Sequence, residues 1–136
     1  MTASPMVPVS WGELLDKITI LQIKQERLED DAKRANVAAE LAALSGIAGA
    51  AMAEAAAPLA ELKQVNEALW EIEDAIRDKE RAGAFDSEFI ALARAVYVTN
   101  DRRAALKRDI NLLLKSALVE EKSYRPYGPG PGEPSK

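Results

Sequence analysis

The chain has 136 residues, 48% of them apolar and 5% aromatic, and a net charge of −4. That suits one domain with one core and is far from a disordered composition, while the acidic balance argues against a nucleic-acid surface, which needs basic residues. With no Cys and no His, disulfides, thiolate chemistry, His-based triads, Cys/His zinc sites and helix-borne Glu-x-x-His di-iron sites are excluded, leaving only carboxylate sites for hard cations.

Abundant Ala and scarce aromatics favour close-packed helices over a sheet. The opening MTASPMVPVS has no Lys or Arg and no long apolar run, so no secretory signal is expected there. Residues 1–9 are read as an extended arm. Ser10 then opens the first helix: Glu13 stands three residues on, as in a capping box, and Val9 and Leu14 occupy the positions of a hydrophobic staple. The helix is expected to run to about Asp30. On a helical wheel Trp11, Leu14, Leu15, Ile18, Leu21 and Leu28 share one face, while Ile20 and Ile23 fall opposite, beside Asp16 and Arg27. Two readings stand: incidental surface isoleucines, or a helix buried twice, against its own bundle and against another subunit or partner. The second makes Ile20 and Ile23 a candidate oligomer or partner face.

Residues 31–57 are rich in Ala, with Gly46 and Gly49 inside. A helix is expected that bends or breaks near Ser45-Gly46, since each Gly costs about 1 kcal/mol against Ala. The apolar window LAALSGIAGAAMA is too short to span a membrane, which takes roughly 20 apolar residues. No membrane insertion and a cytoplasmic location are expected. No Gly-Lys-Ser/Thr follows the glycines, so a phosphate cradle is unsupported.

Pro58 marks a third helix start. Leu59, Leu62, Val65, Leu69, Ile72 and Ile76 form a stripe at helical spacing, and Gly83 ends the helix. Asp86 caps a fourth, reaching about Ser116, with the stripe Phe89, Leu92, Val96, Leu106, Ile110, Leu113 and Leu114. The short connection predicts an antiparallel pair. Residues 119–136 are Pro/Gly-rich and are read as a disordered tail, either a plain linker or a segment for an aromatic-lined groove. The expected architecture is all-α: an elongated antiparallel bundle of about four helices spanning residues 10–118 as a single domain.

The polar block Asn100-Asp101-Arg102-Arg103 interrupts the fourth helix. Asp101, Arg102 and Arg108 point to solvent, Arg103 lies within the apolar stripe, and Asn100 and Lys107 flank it. An inward arginine needs a partner or a wet pocket. Hairpin register places Arg103 level with Val65 and Asn66, while Asn66 and Glu73 flank the third helix's stripe. Gln22 and Gln25 lie on the apolar side of the first helix. A polar layer of Gln25, Asn66, Glu73, Asn100, Arg103 and Lys107 is expected, with Glu73 as partner of Arg103. It either fixes helix pairing or binds an anion.

Three blocks, PVSWGELLDKITILQIK (residues 8–24), VNEALWEIED (65–74) and FDSEFIALARAVYVTNDRRAALKRDIN (85–111), resemble a family of small, uncharacterised all-helical bacterial proteins. The resemblance implies a bacterial protein encoded near envelope-polysaccharide and glycosyltransferase genes, and it carries no catalytic residue. Two enzyme patterns fit less well. Chorismate-mutase-like bundles use Arg, Lys, Gln and Glu, but their arginine-bearing helix start does not align here. All-helical pyrophosphatases hold Mg²⁺ with paired carboxylates, which Glu26/Glu29 and Glu71/Asp74 match only formally, with too long a gap between them. The sequence therefore points to a non-catalytic interaction or scaffold protein without cofactor, forming a homo-oligomer or binding a protein partner. The alternative is a site for a small anionic metabolite or nucleotide, in an enzyme or regulator, around Arg103.

Overall fold

A computed structural model describes residues 3–128. The described residues form five helices and no strand: α1 (Trp11–Arg27), α2 (Asp31–Ala48), the single turn α3 (Ala51–Glu54), α4 (Ala56–Ala82) and α5 (Ser87–Leu113). Among the described residues no helix is long and apolar enough to cross a membrane.

Local chemistry sets the boundaries. Ser10 Oγ caps α1 by accepting from Glu13 N at 3.1 Å, whereas the Glu13 carboxylate takes Lys107 Nζ at 2.8 Å instead of closing a capping box. α1 stops at Arg27, short of Asp30, because Asp30 caps α2 by accepting from Lys33 N. The predicted break near Ser45-Gly46 falls later: Gly46 stays helical, and Gly49, at φ +51°, ends the run. Pro58 sits in the first turn of α4, where its missing N–H costs nothing. Gly83 at φ +64° closes α4, and Asp86 caps α5. Lys79 staples that turn through Asp86 (2.9 Å) and Glu88 (2.8 Å).

α4 and α5, each 27 residues, make an antiparallel hairpin about 40 Å long. α1 lies between α2 and this hairpin: Lys17 reaches Glu40 on one side, while Thr19 and Arg27 meet Asn66 and Glu71 on the other. The core gathers Leu14, Leu15 and Ile18 of α1, Ala48, Ala55, Leu62 and Val65, and Leu106 and Ile110 of α5. All of this lies at the base of the hairpin. From Glu67 round the turn to Ala105 no residue is buried, although Leu69, Ile72, Ile76, Phe89, Leu92 and Val96 form the apolar stripe between the two helices. That half is an arm of two helices without a third.

Both apolar sides of α1 are thus covered within one chain. Ile23 is buried, at 1% exposure, and Ile20 is half-buried. Ile23 is therefore withdrawn from the expected partner face on Ile20 and Ile23, because it is buried within the chain, while Ile20 keeps part of its surface in water.

Beyond Leu114 the chain turns back along α5. Glu120 and Glu121 meet Lys107 and Arg108, and Tyr127 packs on Tyr97 with ring centroids 5.3 Å apart. Residues 129–136, where the expected disordered tail continues, lie outside the described residues.

Candidate functional site

The polar centre of the molecule is Asp16, in the middle of α1, with its side chain 3% exposed. A carboxylate so deep must be engaged by donors, since bare charge in a core is very costly. Arg103 of α5 supplies two: Nε donates to Oδ1 at 2.9 Å and Nη2 donates to Oδ2. Asn66 of α4 donates to the same Oδ1 at 2.9 Å and to Thr19 Oγ1 at 2.8 Å, and the Thr19 hydroxyl donates to the Asp16 carbonyl at 2.7 Å. Lys107 Nζ stands 4.0 Å from Asp16 Oδ2 and donates to Glu13 (2.8 Å) and Glu120 (3.0 Å). Three helices therefore converge on one carboxylate. Among the described residues no buried side-chain polar atom lacks a partner.

One turn earlier, α1 meets α5 at backbone distance. Gly12 N donates to Asn111 Oδ1 at 2.6 Å, and Trp11 N donates to Ser116 Oγ at 3.2 Å. These are first-turn N–H groups with no partner inside their own helix. A Cβ at residue 12 would clash with the Lys107 carbonyl and lie 2.9 Å from Asn111 Oδ1, so Gly12 is what lets the helices approach.

The electrostatics follow the geometry. The hydrogen bonds it donates to Asp16 hold the Arg103 guanidinium above its ordinary pKa, outweighing its desolvation. Burial pulls the Lys107 ammonium down, but hydrogen bonds to Glu13 and Glu120 more than offset it, so its pKa is raised. Both cations are locked in the charged form.

The expected polar layer is only partly assembled. Arg103 and Asn66 meet through Asp16, with Lys107 at its edge. Glu73 is not the partner of Arg103: it pairs with Arg77 on its own helix at 3.4 Å, because it lies two turns, about 10 Å, beyond Asn66. Gln25 sits about 13 Å along α1 from Asp16, half-buried and outside this network. Asn100 is exposed. The residues missed are Asp16, Thr19, Gly12 and Asn111. The signal for Asp16 was present: it shares the second apolar side of α1 with Ile20 and Ile23, so burying that side buries a carboxylate and demands a cation. Glu26 pairs with Lys63 and Glu71 with Arg27, so neither belongs to a free carboxylate pair.

Between α5 and the returning segment lies an open cleft of about 840 Å³, whose lining includes Tyr97, Asn100, Arg103, Lys107, Lys122 and Arg125. Chemically the network offers little beyond holding. Asp16 is occupied by donors, the Thr19 hydroxyl is committed to backbone, and Arg103 presents to the cleft only the guanidinium edge that Asp16 leaves free.

The chain matches the Family of unknown function (DUF6165) over residues 6–135 and belongs to that family. No curated protein and no solved structure matches it.

Proposed function

We propose that the chain is a non-catalytic interaction protein that presents the α4–α5 arm to a protein partner, in a bacterial cytoplasm. The observation that carries this reading is the arm itself. It keeps a full apolar stripe in a two-helix hairpin, with no buried residue from Glu67 to Ala105. An amphipathic helix buries its apolar face against neighbouring elements, and in the arm each helix has only the other, which leaves the stripe half-buried. The Asp16 network supports the reading from the other end, by fixing α1 across the hairpin so that the arm projects from a rigid base. The Cys-free, acidic composition suits a reducing compartment.

Site-specific photocrosslinking in cells tests this. A photoreactive residue at Ile90, on the arm, is expected to give discrete protein adducts, and one at Ala38, exposed on α2, is not. Adducts at neither position, or at Ala38 alone, would remove the arm as the functional face.

A second reading has one feature in its favour: the free edge of Arg103 faces the cleft beside Tyr97 and Arg125. It predicts a small anionic ligand there. A thermal-shift panel of phosphate, nucleotides and dicarboxylates tests it, since a ligand at a hundred times its Kd stabilises by about 2.7 kcal/mol. A flat panel would set this reading aside.

A further inference from the structure

We infer that the partner on the arm is a second copy of this chain, docked α5 against α5, antiparallel, about a two-fold axis passing between Tyr97 and Val98. The inference rests on the reading of the arm as the interaction face, and it places the occupant on the outer side of α5, opposite the stripe shared with α4.

The two helices of the arm differ on their outer faces. α4 shows solvent a run of exposed charges, among them Glu71, Asp74, Arg77, Asp78 and Arg81. From Phe89 to Asn100, α5 carries a single charge, Arg94. Its inner side, Phe89, Leu92 and Val96, is half-buried along the arm. Its outer side still exposes Ile90 at 58%, Tyr97 at 42% and Val98 at 45%. A helix apolar on two sides, in an arm only two helices thick, leaves one side for another molecule.

The pattern on that outer side is self-complementary. Arg94 lies three residues before Tyr97, and Asp101 three residues after Val98. Both are exposed, and neither makes an ion pair among the described residues. Being seven apart, they share one side of the helix two turns from each other. An antiparallel second copy centred on the Tyr97–Val98 bond sets Tyr97 against Val98 of that copy and Arg94 against its Asp101. The two-fold repeats each pairing. Exposed Ile90 then meets Ala105, a small residue that is also exposed. A parallel copy would stack Arg94 on Arg94 and Asp101 on Asp101, which like-charge repulsion disfavours. The returning segment packs on Tyr97 from one flank, with Asp101 on the cleft between them. It leaves Ile90, Arg94 and Val98 outside its cover, and Ala105, though exposed, borders the cleft in front of Glu120, Glu121 and Lys122.

Light scattering with size exclusion, over a concentration series, tests the geometry by charge reversal. The wild type is expected to be dimeric in the micromolar range. Arg94→Glu and Asp101→Arg should each weaken the dimer at least about tenfold, a change worth 1.4 kcal/mol. Arg94→Glu with Asp101→Arg together should restore it, with helicity by circular dichroism unchanged throughout. A wild type that stays monomeric at about 100 µM, well above the micromolar range expected, would overturn the inference. Single reversals without effect, or a double reversal that fails to rescue, would overturn it too. Protein adducts at Ile90 in a monomeric wild type would retain the arm as a docking face while removing the second copy, whereas no adducts would remove both.

Discussion

The base and the arm of the α4–α5 hairpin are built from the same two helices and obey different physics. At the base, α1 lies across the hairpin, and Leu62 and Ile110 have no exposed surface. In the arm the stripe continues at the same spacing, yet each of its side chains keeps part of its surface in water. The difference does not lie in the stripe, which is apolar throughout. It lies in what crosses it, and the crossing is set by Asp16, Gly12 and their partners on α5. The base is thus a clamp and the arm is what it holds out.

Loss of the clamp's charge should undo the base most severely. Arg103→Met leaves the Asp16 carboxylate buried with Asn66 as its remaining side-chain donor. Breaking a buried pair from one side costs about 3–5 kcal/mol, read as a lower urea midpoint. Asp16→Leu with Arg103→Met should recover most of that loss, because the pair is then replaced rather than broken. A harmless Arg103→Met would mean that the carboxylate is solvated and that there is no clamp.

Core truncation sharpens the contrast. Ile18→Ala, at a residue with no exposed surface, should cost about 2–5 kcal/mol. Leu92→Ala, half-buried in the arm, should cost roughly 1 kcal/mol, as a side chain already partly in water loses less on truncation. Equal costs in dilute denaturant titrations would show that the arm is closed in the monomer. Glycine gives a smaller contrast, of opposite sign. Gly12→Ala should destabilise by about 1–3 kcal/mol through overpacking, since α5 backbone fills the space a Cβ needs. Gly46 has nothing within 4 Å of that position and lies within α2, so Gly46→Ala should stabilise by about 0.4–1 kcal/mol. Thermal melts of the two variants should move in opposite directions.

Much of this fold is legible in the sequence, for reasons that are local. Ser10, Asp86 and Gly83 announce helix ends because their chemistry acts within one turn. The paired stripes announce the hairpin. Arg103 announces a buried need, because an arginine inside a stripe cannot stand alone. Its counter-ion is harder to find, since Asp16 comes from a helix 87 residues away in sequence and register along one hairpin cannot supply it. Glu73 is the plausible local choice and the wrong one, two turns too far toward the arm. Gly12 was hidden differently: inside a capping motif it reads as part of a helix start, and only the approach of α5 gives it a second role.

The returning segment joins the two regions, and its hold on α5 should fail in acid. Glu120 lies between Lys122 and Lys107, and these cations, Lys122 foremost, lower its carboxyl from 4.5 to about 2. A depressed pKa adds stability that is fully present above 4.5 and is lost as the pH falls toward 2. Lys107, raised above 10.5, keeps its charge through that window, so the loss belongs to the carboxylate. The Glu120 side chain is 42% exposed, so the effect on global stability is small and screened by salt. The local effect is the one to measure. The chain has no Cys, so Ser123→Cys gives a single site for a nitroxide beside the ion pairs. Its spectrum should be broad at neutral pH and sharpen as the pH falls from about 4.5 to about 2, while circular dichroism on the same sample tracks the helices. With Glu120→Gln added, the label should already be mobile at neutral pH. A label equally mobile across the range would show that residues 120–127 are not held by these charges, and the tyrosine contact at Tyr97 would then be all that ties them to α5.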